Sequence, residues 1–72
     1  MKTLYYIDKF RKETELRSFE EDFRSVKILA YIRKEAKSRG FEVRCIQFHQ
    51  LSTGSVIYDF GDHSEFFILK DI

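Results

Sequence analysis

The chain contains no proline, no tryptophan, a single cysteine (Cys45) and only three glycines among its 72 residues. Each scarcity excludes something. One thiol closes no internal disulfide, and no cysteine–histidine cluster has the spacing of a structural zinc site. No apolar run approaches the ~20 residues of a membrane-spanning helix. Asp8 and Lys9 break the N-terminal apolar stretch before a signal-peptide core develops. A lone thiol without an export signal points to a reducing compartment, so a cytoplasmic setting is expected. Gly40, Gly54 and Gly61 all fall between periodic segments, where they mark the ends of elements. They form no glycine-rich phosphate loop. Asp59-Phe60-Gly61 spells the metal-binding tripeptide of protein kinases, but 72 residues cannot supply the lobes that give it meaning.

Aromatic bulk stands in for the missing staples. Eight Phe and four Tyr, each able to bury roughly 150–250 Å², predict an aromatic-rich core in one domain spanning residues 1–72. With 35% of residues charged in both signs, this is the composition of a folded chain.

The charge is nearly balanced, at +1 overall, but unevenly placed. Residues 24–44 hold Arg24, Lys27, Arg33, Lys34, Lys37, Arg39 and Arg44 against Glu35 and Glu42, a local +5. From Cys45 onward Asp59, Asp62, Glu65 and Asp71 stand against Lys70, a local −3. A basic middle and an acidic end predict a domain with electrostatic polarity.

Periodicity predicts a helix from about Phe19 to Arg39, opened by a capping box of Ser18 and Glu21 and closed by a left-handed Gly40, with Phe41 folding back. Glu20, Glu21 and Asp22 complement one end of its dipole, and Lys34, Lys37 and Arg39 the other. After Gly40 the period changes to two. Phe41–Cys45, Val56–Phe60 and Glu65–Lys70 read as strands, with Gly61-Asp62 as a two-residue hairpin loop. Thr3–Ile7 reads as a short first strand and Lys9–Glu15 as a charged connection. The predicted fold class is α+β: a two-layer sandwich of one long helix on a small, largely antiparallel sheet, in the order β-α-β-β-β. A first strand parallel to its neighbour would need a right-handed crossover.

Catalytic chemistry finds little support. Cys45 and His49, four apart on an extended strand, would lie roughly 13 Å from each other, too far for a thiol–imidazole pair. Cys45 is expected as a small core residue. His63 beside Asp62 reads as loop solvation, and His49, His63, Asp59, Asp62 and Glu65 match no metal-ligand pattern. No catalytic residue, metal or cofactor is expected.

The strongest functional hint is an excess of apolar strand positions. One helix covers one sheet face, so the other should be polar at alternate residues. Phe66-Phe67-Ile68-Leu69 is apolar in both phases, and Ile46, Phe48 and Ile57 add to the surplus. Either the N-terminal segment with Leu4, Tyr5, Tyr6, Ile7 and Phe10 folds over the second face, or a second copy or another protein does. The expectation is a non-enzymatic protein-binding module acting by occupancy, as an inhibitor or adaptor, alone or as a homodimer. Ile46, Phe48, Ile57, Phe67 and Leu69 are its expected partner-binding residues. An inhibitor of a nucleic-acid enzyme encoded by a phage or mobile element suits such a profile. The alternative is direct nucleic-acid binding through Arg24, Lys27, Arg33, Lys34, Lys37 and Arg44. Neither membrane nor small-molecule binding is expected.

Overall fold

The elements in chain order are β1 (Lys2–Ile7), β2 (Glu13–Phe19), α1 (Val26–Ser38), β3 (Gln47–Gln50), β4 (Val56–Asp59) and β5 (Phe66–Asp71). They come from a computed structural model that describes residues 1–62 and 64–71. The α+β class is as expected: one helix lies on a five-stranded sheet of order β2-β1-β5-β4-β3. Every neighbouring pair is antiparallel, so the case of a parallel first strand does not arise. Residues 20–46, helix included, carry the chain from the β2 edge to the β3 edge.

Residues expected as a charged connection and the start of the helix instead form β2. Ser18 pairs with Thr3 across the ladder, and their hydroxyls meet at 3.1 Å. Leu16 and Phe19 are three apart, a spacing that suits a helix and not a regular strand. A bulge resolves the conflict. The register slips between Leu4 and Tyr5, leaving Leu16 as the extra residue, and Leu16 and Phe19 both pack with the core.

The helix therefore starts seven residues later than predicted. Asp22 opens a tight turn, accepting the Arg24 amide on its carboxylate and the Ser25 amide on its carbonyl. Ser25 is the cap, its hydroxyl accepting the Lys27 amide at 3.1 Å. Glu21 ends up pairing with Lys27 across this turn. The predicted stop is formed: Gly40 has φ +87°, its amide donates to Lys37 O, and the Phe41 amide donates to Ala36 O. These are the two bonds of a Schellman motif.

Residues 41–46 form no strand. Phe41, Val43 and Ile46 still turn inward against the core, while Glu42, Arg44 and Cys45 are exposed. The alternation read from the sequence holds for Phe41 and Val43 but not for Cys45, and no neighbouring strand stands beside this segment to make a ladder. Between β4 and β5 the chain also needs more than two residues. Phe60 is buried between Phe41 and Phe67, at ring separations of 4.9 and 5.6 Å, which draws the chain toward the core before it returns. Asp62 then accepts the amides of Ser64 and Glu65.

A candidate docking surface on the open sheet face

Strand alternation divides the side chains between two faces. Leu4, Tyr6, Val56, Tyr58, Phe67 and Leu69 point toward the helix and join Ile28, Ile32 and Ala36 in one cluster. The Tyr58 hydroxyl donates to Phe23 O at 2.6 Å, tying β4 to the turn before the helix. Burial holds this phenol above its ordinary pKa, and the Asp22 carboxylate adds to the effect.

The alternate residues make the second face: Thr3, Tyr5 and Ile7 of β1, Phe66, Ile68 and Lys70 of β5, Ile57 and Asp59 of β4. Ile57 and Ile68 are cross-strand partners, as are Ile68 and Tyr5. Tyr5, Ile57, Phe66 and Ile68 are all half-buried and lie outside the core cluster. Charged side chains edge this patch. Arg11 lies 5.4 Å over the Phe66 ring, Lys70 lies 4.9 Å over the Tyr5 ring, and Lys70 pairs with Glu13 at 2.7 Å. Among the described residues, no secondary-structure element forms a layer on this side. The N-terminal segment does not cover it, because it is β1, inside the sheet. Phe10, in the hairpin between β1 and β2, is 79% exposed.

The structure separates the residues expected to bind a partner. Ile57 lies on the open face. Phe67 and Leu69 do not; they are 0% and 2% exposed beneath the helix, so their expected role as contact residues is corrected. Ile46 packs half-buried against the core. Phe48 points to the helix side and stacks edge-on against Phe23 at 5.3 Å, yet keeps 39% of its surface exposed at the sheet edge. The inward phase of β5 is thus Phe67 and Leu69, and the outward phase is Phe66 and Ile68. With both phases apolar, sequence alone could not choose between them. Tyr5, which the sequence offered only as part of a possible cover, belongs to the exposed patch; its pairing with Ile68 was the missing information.

The basic residues also divide. Lys27 pairs with Glu21, and Arg24 lies over the Phe23 ring. Arg39 pairs with Glu35 at 2.7 Å and covers the Tyr6 ring. Among the described residues, Arg33, Lys34, Lys37 and Arg44 are exposed and make no ion pair. Arg33 and Lys37 border a shallow depression with Phe41 and Val43, and Arg44 borders a second with Cys45, Phe60 and Asp62. Cys45 is exposed, not a core residue as expected. His49 lies on β3, and the readings placed on His63 fall outside the described residues. Among the described residues, no group of three or more His, Cys, Asp or Glu side chains could hold a metal ion, and no helix is long and apolar enough to cross a membrane. Comparison with protein-family models, with curated proteins and with solved structures returned no match.

Proposed function

We propose that this chain is a non-catalytic protein-binding module of the cytoplasm that works by occupancy, as an inhibitor or adaptor seated on a larger protein through its open sheet face. The observation that carries this reading is the contiguous set Tyr5, Ile57, Phe66 and Ile68, half-buried on a face that, among the described residues, no second layer covers. Half of a sandwich core without its other half gains free energy when a partner completes it, at roughly 25 cal/mol per Å² of apolar surface removed from water. Lys70, Arg11, Glu13 and Asp59 around the patch would set orientation and association rate more than affinity.

The second reading, nucleic-acid binding, rests on Arg33, Lys34 and Lys37 standing unpaired along the outer helix face, with Arg44 beyond its end. Capture from host extract with three versions of the chain separates the two. The wild-type chain and Lys34→Glu/Lys37→Glu should retain the same stoichiometric protein, and Ile57→Glu/Ile68→Glu should lose it while keeping a wild-type circular dichroism spectrum. Retention by the sheet variant, together with nucleic-acid binding that weakens steeply with salt and is lost in the helix variant, would overturn the proposal.

A further inference from the structure

The two edges of the sheet are unequally protected. An exposed edge offers unpaired amides and carbonyls to any other strand, and soluble proteins usually guard it with charges, bulges or proline. The β2 edge carries Glu13, Glu15 and Arg17 and is bulged at Leu16. The β3 edge has none of these. It belongs to the stretch from Cys45 to Tyr58, which contains no Asp, Glu, Lys or Arg in a chain that is 35% charged. All four residues of β3 are exposed, and Phe48 and Leu51 each keep 39% of their surface in solvent.

Backbone geometry says which groups are free. The Leu51 amide donates to Ser55 O at 2.8 Å, closing the β3–β4 hairpin. Hydrogen-bonded and non-hydrogen-bonded pairs alternate along an antiparallel ladder. His49–Ile57 and Gln47–Asp59 are therefore the bonded pairs, and Phe48 and Gln50 aim their amides and carbonyls away from β4.

We infer that β3 is a self-association edge, pairing antiparallel with β3 of a second copy about a twofold axis, so that the two sheets become one. The occupant follows from the edge itself. An antiparallel twofold contact is self-complementary, so each outward amide of one copy meets an outward carbonyl of the other. Neither strand brings a charge that would repel its twin. Centring the axis on His49 lets the outward groups of Phe48 bond those of Gln50 in the twin, and brings the two exposed Phe48 rings diagonally toward each other across the seam. The open sheet face is not used, so this contact stands whether or not that face docks a partner.

The test is sedimentation of the full chain over a wide concentration range, with hydrogen exchange read at single amides. Expected is a reversible monomer–dimer equilibrium, with the Phe48 and Gln50 amides gaining protection as dimer forms. Gln50→Pro removes an outward donor from each copy while sparing the bonds to β4, and should weaken the dimer roughly tenfold or more. His49→Lys places like charges close together across the axis and should do the same. Both variants should keep the wild-type circular dichroism spectrum. If Gln50→Pro disturbs it, His49→Lys decides. A strict monomer with freely exchanging Phe48 and Gln50 amides would sink the inference. So would a dimer unaffected by either substitution, or one abolished only by Ile57→Glu/Ile68→Glu. Protection of the edge appearing only with a different protein bound would also overturn self-pairing.

Discussion

Tyr58 is the residue on which the two layers depend most visibly. It is 0% exposed, contributes a ring to the core, and its hydroxyl satisfies the Phe23 carbonyl. Tyr58→Phe keeps the ring and leaves that buried carbonyl without its donor, which costs about 1–3 kcal/mol. A urea titration should show a lower midpoint with an unchanged slope. Arg11 shows the opposite economy. It occupies a left-handed position, φ 65°, that a glycine would fill without strain. Here the strained residue also places a guanidinium over Phe66. Of the aromatic residues, the sequence announced the abundance and the burial of many. It did not announce these pairings, because Tyr58 meets Phe23 across 35 positions and Tyr6 meets Glu65 across 59.

At the scale of the element, the helix ends differ in how local their determinants are. The C-terminal stop is written in adjacent residues, a glycine followed by an apolar residue, and it forms where predicted. The N-terminal start was contested between two sets of caps. Ser18 and Glu21 have the right spacing, yet Ser18 gains a ladder partner in β1, and Ser25 takes the cap. A strand at a sheet edge with a bulge carries no clean period, which hid β2. Near the helix end, Glu35 is half-buried. Burial works to raise its pKa, but the nearby Tyr31 hydroxyl and the hydrogen bond from Arg39 outweigh this and hold it below the ordinary glutamate value of 4.5. A carboxylate depressed in the folded state stabilises above its unfolded pKa, and that contribution fades as pH falls through the folded value. Glu35→Gln should therefore lower stability at neutral pH by about 0.5–1 kcal/mol. Its difference from wild type should shrink below pH 4.5, read from urea midpoints across a pH series.

At the scale of the whole molecule, β1, β5 and β4 are each flanked on both sides, while β2 and β3 are edges. Cooperative stability should be highest where ladders and core coincide. Native-state hydrogen exchange should find the slowest amides in β1 and β5, at Leu4, Tyr6, Phe67 and Leu69. Those of β3 should be the fastest among the strands in dilute solution. Slow exchange in β3 under dilute conditions would mean that its edge is already occupied. The layout also accounts for part of the charge polarity. Lys27 and Arg39 pair with neighbouring glutamates; among the described residues Arg24, Arg33, Lys34, Lys37 and Arg44 make no ion pair, Arg24 lying instead over the Phe23 ring.

The amino-acid sequence by itself determined the α+β class, the existence of the helix, its glycine stop, and the excess of apolar strand residues. All of these follow from local periodicity and local steric preference. Only the tertiary structure decided which phase of β5 faces the helix, that the N-terminal segment is a central strand, and that β3 is the unguarded edge. The reason is physical: a strand's two faces and its edge are chemically defined only by what lies beside it. In this chain the neighbours come from opposite ends of the sequence, with Tyr5 set against Ile68 and Leu4 against Leu69.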